Sequence, residues 1–520
     1  MTRYNILWAD DEIDLLKPHI LFLQNKGYDV TPVNSGSDAL DEVASTAYDL
    51  VFLDENMPGM TGLETLTQIK SQKPSLPVVM ITKSEEEHIM EEAIGSKIAD
   101  YLIKPLNPNQ ILLSVKKILD NRRLVQQKTN SNYQQEFRNI SLQMGDSQSW
   151  QEWVEIYKKL VYWELEIDRA EGGSMNEVLS MQKDEANINF SRFIVDEYED
   201  WLNDPNADKP LLSHRLMNQK VFPYLKEADP VFFIVIDNLR YDQWKSIQPL
   251  LAPYFSVEEE DIYFSILPTT TAYARNALFS GLLPLQMAKQ HPDLWVGEDD
   301  EDGKNKNEEE FLARHLKKSG FGDLKFSYHK ILQNSQGKSV NDNLNNLLNN
   351  KLNVVVYNFV DMLSHARTEI EMLKELAADE AAYRSLSRSW FEHSPLFDML
   401  KKLSEKKCKV VITTDHGTIR VKRPFKIIGD RNVNTNLRYK QGKNLNWDGN
   451  HVLEIRHPES VGLPKVNVSS AYVFALEDYF FAYPNNYNYY ANYYRDTFQH
   501  GGISMEEVMI PCVQLKSKGN

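Results

Sequence analysis

Three apolar runs between residues 231 and 414 each lead into an acid: VFFIVI into Asp237, NVVVYNF into Asp361 and KVVITT into Asp415. Runs of this length, rich in valine, isoleucine and phenylalanine, read as strands covered on both faces. Such strands belong to a parallel sheet flanked by helices. Ligands of open α/β sheets gather beyond the carboxyl ends of the strands. The three acids are therefore expected to converge at one edge.

Residues 1–120 repeat the pattern at shorter spacing. The runs NILWA, DLVFLD, PVVMIT and DYLI alternate with helical patterns, which predicts a second doubly wound α/β domain. Between the two, residues 121–206 are long, charged and amphipathic, and predict a small helical bundle acting as linker. Its aromatics Trp150, Trp153, Tyr157, Tyr162 and Trp163 are expected in its core rather than as a base-stacking platform. Residues 207–520 then form the larger α/β domain. Within it, 296–310 reads as a solvated charged loop and 420–470 as an insertion capping the site. The tyrosine-rich stretch 479–494 fits core, interface or substrate-stacking surface.

Hydrophobic content of 42% and charged content of 25% are those of a soluble globular chain. A net charge of −16 excludes a general nucleic-acid binder, and no sequence-specific DNA binding is expected. It does not exclude a phosphate substrate, because bound divalent ions set the local potential of a metal site. No apolar run of ~18 residues occurs and the N-terminus shows no signal-peptide pattern, so a cytoplasmic protein without membrane insertion is expected. Cys408 and Cys512 lie in apolar runs and read as buried free thiols.

The first domain carries a complete acidic set. Asp10 and Asp11 follow the first strand, Asp54 ends the third run's predecessor LVFLD, Thr82 ends PVVMIT, and Lys104 ends DYLI before Pro105. All sit at one edge of the predicted sheet. Three carboxylates together need a cation, and Mg²⁺ favours oxygen ligands. The order of these residues, with the turn Asn56-Met57-Pro58-Gly59-Met60-Thr61-Gly62, resembles a two-component receiver domain. The resemblance implies Asp54 as phosphoacceptor and a Mg²⁺ pocket of Asp10, Asp11, Asp54 and the Asn56 carbonyl. It also implies Thr82 and Tyr101 as switch residues, Lys104 beside the phosphoryl group, and a sensor histidine kinase as partner. No helix-turn-helix follows, so the output is expected to be something other than transcription.

In the second domain Asp361 and His365 stand at i and i+4, on one face of a helical turn. Asp415 and His416 are adjacent and point in different directions, and His500 lies in FQHGG. Carboxylates and imidazoles suit two hydrolytic zinc ions, and manganese would also accept them. The ordered set, over about 230–510, resembles the alkaline phosphatase superfamily. The resemblance implies one zinc on Asp361, His365 and His500, and another on Asp237, Asp415 and His416. Its phosphodiesterase branch selects Thr271 of Pro268-Thr269-Thr270-Thr271 as nucleophile, with Thr270 as runner-up. Thr269 and Thr270 also read as helix caps.

A receiver joined to a PglZ-type domain resembles the PorX regulators of the type IX secretion system. That family implies a cytoplasmic zinc phosphodiesterase acting on cyclic or linear oligonucleotides or other nucleotides, tied to secretion and gliding. Two further readings stand beside it. One is a phosphomonoesterase with Arg240 or Arg275 as anion clamp, against both being surface residues with carboxylate partners. The other is a non-catalytic module docking a transcription (sigma) factor or secretion component. In each, phosphorylation of Asp54 is expected to reposition Thr82 and Tyr101 and create a homodimer, with 121–206 transmitting the change.

Overall fold

The computed structural model describes residues 4–83, 98–146, 149–170, 174–297, 303–369, 377, 379–429, 434–465 and 470–518. It divides into two compact units, one comprising Met1–Asn132 with Ala170–Gly172, the other Tyr133–Arg169 with Gly173–Asn520. No described helix is long and apolar enough to cross a membrane.

The first unit is built on five parallel strands, β1 (Asn5–Ala9), β2 (Asp29–Val33), β3 (Leu50–Asp54), β4 (Val78–Thr82) and β5 (Asp100–Ile103), in the order β2-β1-β3-β4-β5. Successive residues point to opposite faces, so both faces carry a core. Ile6, Trp8 and Phe52 fill one, and Leu7, Val51 and Leu53 fill the other. This is why NILWA and LVFL are apolar without alternation. Helix Gly62–Gln72 starts with a Thr61/Glu64 capping box. Gly62 lies so close to β3 that a Cβ there would stand 2.4 Å from the Asp54 carbonyl oxygen. Glycine lets the helix start press against the backbone of the phosphoacceptor candidate.

The second unit holds a six-stranded sheet. Its strands are β6 (Val231–Ile236), β7 (Phe255–Phe264), β8 (Phe326–Ile331), β9 (Leu352–Tyr357), β10 (Lys409–Thr413) and the C-terminal strand Met509–Ser517. The order is β7, C-terminal strand, β10, β6, β9, β8. β10, β6, β9 and β8 are mutually parallel, and the C-terminal strand runs antiparallel to β10 and β7. Register fixes the site: Val235 pairs with Thr413, and Ile236 with Tyr357. The next residues of all three strands therefore emerge together.

Helices Trp150–Arg169 and Ser174–Asn203 pack into the same core as this sheet; Phe190 and Trp201 lie against Phe264 of β7. The helical segment is where the sequence places it, but it shares a core instead of enclosing its own. Trp153 and Tyr157 are buried, Trp150 and Trp163 partly so, whereas Tyr162 is 55% exposed. Tyr162 is thus not the core residue its apolar neighbours led us to expect. Segment 420–470 contains strands of two to six residues in two three-stranded sheets, over a small core of Phe425, Ile427, Val473 and Phe481. Of the tyrosine-rich stretch, Tyr479–Ala482 is a strand, and Tyr487–Tyr494 is a helix exposing Tyr489 and Tyr490. Cys512 is buried and Cys408 partly buried, both unpaired, and burial pushes each thiol up to about 12.

Candidate functional site

The three acids meet as the register requires. Asp237, Asp415 and His416 are fully buried just beyond β6 and β10. Asp361 lies in the first turn of helix Phe359–Glu369, with His365 one turn on. His365 Nε2 is 3.6 Å from Asp361 Oδ2, and His500 Nε2 is 3.5 Å from Asp361 Oδ1. His416 Nε2 is 3.7 Å from Asp237 Oδ1 and 3.8 Å from Asp415 Oδ2. Candidate ligand atoms of Asp361, His365 and His500 lie within 4.8 Å of one another, as do those of Asp237, Asp415 and His416. The structure thus brings all six residues together in the two groups expected.

Backbone carbonyls orient two of the rings. His416 Nδ1 is 3.1 Å from the Gly417 oxygen, and His500 Nδ1 is 3.3 Å from the Thr269 oxygen. A carbonyl only accepts, so each Nδ1 carries a hydrogen and each Nε2 faces the acids. Gly417 is required here, because a Cβ would stand 2.0 Å from the Glu506 carbonyl oxygen.

Asn238 ties the groups together. It adopts a left-handed φ of 65°, which asparagine tolerates. Its backbone N–H donates to Asp415 Oδ1 at 3.4 Å, and its Nδ2 donates to Asp361 Oδ1 and Ser364 Oγ, both at 3.3 Å.

The electrostatics are those of a cation site. Burial, then Asp237, pushes the Asp415 carboxyl up to about 7, and its Oδ2 has no hydrogen-bond partner. Burial and Asp237 raise Asp361 also. Burial works against an ionised Asp237, but the Arg275 guanidinium and His416 outweigh it and hold that carboxyl below its usual range. Burial and the neighbouring His416 and His365 keep His500 well below the ordinary imidazole value. Crowded acids, an orphaned carboxylate oxygen and imidazole nitrogens aimed inwards fit divalent metal ions.

Thr271 opens a helical turn, Thr271–Arg275, that continues into Asn276–Ser280. Its Oγ1 donates to Asp237 Oδ1 at 3.3 Å and lies 3.0 Å from His416 Nε2. Thr270 and Thr269 do not cap this helix. The Thr270 Oγ1 is buried without a partner, while Thr269 Oγ1 donates to the Gly502 carbonyl and accepts from Gly501 N.

Neither arginine is a surface residue. Arg275 donates to Asp237 Oδ2 and Glu308 Oε1, both at 2.6 Å. Arg240 is paired with Asp242 and Glu380, its guanidinium over the Tyr383 and Phe498 rings. Both have the carboxylate partners expected, but in the interior. Glu308, read as part of a solvated loop, is 1% exposed because Arg275 needs its charge. Residues 298–302 of that loop lie outside the described residues. Sequence reasoning passed over Asn238, Asn358 and Glu308. Asn358 Nδ2 donates to Asp237 Oδ2 at 2.8 Å, and only its register beside Asp237 could have marked it.

In the first unit, Asp10 and Asp54 are buried and Asp11 is exposed, with carboxylate oxygens of the three within 4.8 Å. Lys104 Nζ is 2.8 Å from Asp10 Oδ2 and 2.7 Å from Asp54 Oδ1. Asn56 N donates to Asp54 Oδ2 at 3.1 Å. Burial raises the Asp54 carboxyl despite Lys104. Burial also opposes the Lys104 charge, but Asp10 and Asp54 outweigh it and raise its pKa. Thr82 is buried at the end of β4 and Tyr101 half-buried on the neighbouring β5.

A family model described as the BREX system PglZ alkaline phosphatase-like domain matches residues 216–515. The chain belongs to the PglZ family. Ahead of the PglZ domain, a response regulator receiver model matches 6–116, and a PorX response regulator linker model matches 123–202. That order is the PorX-type architecture. The alkaline phosphatase-like PglZ domain points to a metal-dependent phosphoesterase, and the receiver implies phosphorylation by a histidine kinase. Both kinds of domain bind divalent metals.

Curated relatives include the transcriptional regulatory protein ZraR of Klebsiella oxytoca, 37% identical over 122 residues, 24% of this chain and 28% of that protein. Another is ResD of Bacillus subtilis, 32% identical over 114 residues, 22% of this chain and 47% of that one. The matches thus span less than half of these relatives. Among solved structures, the chemotaxis protein CheY4 of Vibrio cholerae is similar over 23% of this chain and 100% of its own, at 28% identity and a TM-score of 0.22.

Proposed function

We propose that the protein is a response regulator whose PglZ domain is a zinc-dependent phosphodiesterase acting on cyclic or linear oligonucleotides. The observation that carries this reading is Thr271 Oγ1, which contacts Asp237 and His416 in a site lined by both ligand groups. Asp361, His365 and His500 would hold one zinc, and Asp237, Asp415 and His416 the other. Zinc bound there supplies Lewis acidity for the attacking and leaving oxygens. Thr271 attacks phosphorus in line, the bond to the leaving oxygen breaks, the threonine hydroxyl proton ends on that departing oxygen, and a phosphothreonine results. Water then cleaves the phosphorus–oxygen bond and restores Thr271. Splitting one displacement into two lowers each barrier.

Diester specificity is supported by the two arginines. A monoester brings an extra negative charge and rewards a free cation near the nucleophile. Arg275 spends two of its nitrogens on Asp237 and Glu308, and its Nη2 is buried without a hydrogen-bond partner. Arg240 is committed to Asp242 and Glu380. Both guanidinium charges are thus already balanced by carboxylates, which leaves less positive charge for a monoester.

In the receiver, Asp10, Asp11, Asp54 and the Asn56 carbonyl would hold Mg²⁺, and a sensor histidine kinase would phosphorylate Asp54. Thr82 and Tyr101 would then move and drive homodimerisation. The resemblance to PorX regulators supports an output in type IX secretion and gliding, in the cytoplasm, with a sigma factor or secretion component as a further partner. Hydrolysis of bis-p-nitrophenyl phosphate against p-nitrophenyl phosphate, with zinc and with chelator, tests the activity. Zinc-dependent preference for the diester is expected; preference for the monoester sinks the diesterase reading.

A further inference from the structure

Thr271 and Arg275 bound a single helical turn, so one short piece of backbone carries the candidate nucleophile and a buried guanidinium. Arg275 Nη1 donates to Asp237 Oδ2 at 2.6 Å, and Asn358 Nδ2 donates to the same oxygen at 2.8 Å. Asp237 is left with Oδ1, which faces Thr271 Oγ1 at 3.3 Å and His416 Nε2 at 3.7 Å. On the other side, Arg275 Nε donates to Glu308 Oε1 at 2.6 Å. Glu308 is fixed in turn by the Tyr328 hydroxyl and by Lys330, 3.2 Å away. The line Glu308–Arg275–Asp237 runs from helix Glu308–Lys318 through the nucleophile's own turn to the end of β6.

Stability alone is a poor reason for such a line, because buried ion pairs seldom repay their desolvation against apolar packing. Its geometry does something apolar residues could not: it fixes which oxygen of Asp237 is free, and where that oxygen stands relative to Thr271. We propose that Arg275, anchored by Glu308, is a positioning residue that presents Asp237 Oδ1 to the metal and to Thr271. The inference rests on the phosphodiesterase reading and deepens it. A lysine keeps the charge but has one nitrogen, and cannot bridge Asp237 and Glu308 in a fixed plane.

The test uses Arg275→Lys and Glu308→Gln in the full chain. Three readouts are needed: kcat and KM on bis-p-nitrophenyl phosphate, zinc affinity by competition with a chromophoric chelator, and the thermal melt. Both variants are expected to lower kcat, Arg275→Lys by ~10–100-fold, with KM little changed. One of the two zinc equivalents should weaken by ~10-fold or more while the other is unaffected. Folded variants with wild-type kcat and two wild-type zinc affinities overturn the proposal. A raised KM at unchanged kcat also overturns it, since Arg275 would then act on substrate binding. Should Arg275→Lys fail to fold, Glu308→Gln decides, because it keeps the side chain's shape and removes the charge that anchors Arg275. Absence of diester turnover in the wild type would count against the phosphodiesterase reading, and zinc affinity would still report on Arg275.

Discussion

The imidazoles of His416 and His500 stack, with ring centroids 4.3 Å apart and planes 23° from parallel. One ring belongs to each ligand group, so the two groups share a wall. Burial opposes a charge on His416, but Asp415 and Asp237 outweigh it and raise its pKa, while His500 is held low, so the stacked pair avoids two imidazolium rings. The neutral form is also the one that binds metal.

Metal should therefore stabilise the fold as well as enable turnover. With zinc at roughly a hundred times its dissociation constant, the gain is ~2.7 kcal/mol per linked site. Chelator should lower the melting temperature of the PglZ domain by several degrees, and zinc should restore it. An identical melt with zinc and with chelator would show that the carboxylates hold no metal.

Lys440 carries a pH dependence of its own. It is 1% exposed, and burial pushes its pKa down to about 7 from 10.5. Its Nζ donates to the Asn434 carbonyl at 2.8 Å and lies 4.7 Å from the Tyr483 ring centre. The folded state holds this proton less tightly than the unfolded one, so the stabilising contribution is complete only above 10.5 and is lost as pH falls to about 7. Lys440→Met should melt higher than wild type at pH 7, by an equivalent of ~1 kcal/mol or more. That margin should shrink as pH approaches 10. A margin independent of pH would contradict the account.

For the receiver, Asp54 is the one acid of its pocket that both contacts Lys104 and receives the Asn56 N–H. Acetyl phosphate should place one acid-labile phosphoryl group on the wild type and none on Asp54→Asn. Light scattering should show a mass increase only where the label appears. Labelling without a change in mass would remove the dimer from the scheme.

Much of the site was legible because Asp237, Asp361 and Asp415 each follow a strand buried on both faces, and such strands are apolar throughout. Thr271 was legible through resemblance. Asn238 was not, because its role depends on a left-handed backbone and on three partners distant in sequence. Glu308 belongs to a run of charged residues whose pattern cannot show which member turns inwards. The helices 150–169 and 174–203 were legible as helices, but an apolar stripe does not say what it covers. The strands of 420–470 are too short for alternation to register.

The most direct test of the central claim is diester turnover by Thr271→Val, with zinc content measured on the same sample. Valine keeps the shape and removes the hydroxyl. Thr270→Val is the matched control, since the Thr270 hydroxyl is buried without a partner and its loss should be neutral or stabilising by up to ~1 kcal/mol. The account predicts two bound zinc ions in both variants, near-normal turnover in Thr270→Val, and a loss of ~10³-fold or more in Thr271→Val. Wild-type turnover in zinc-loaded Thr271→Val would contradict it.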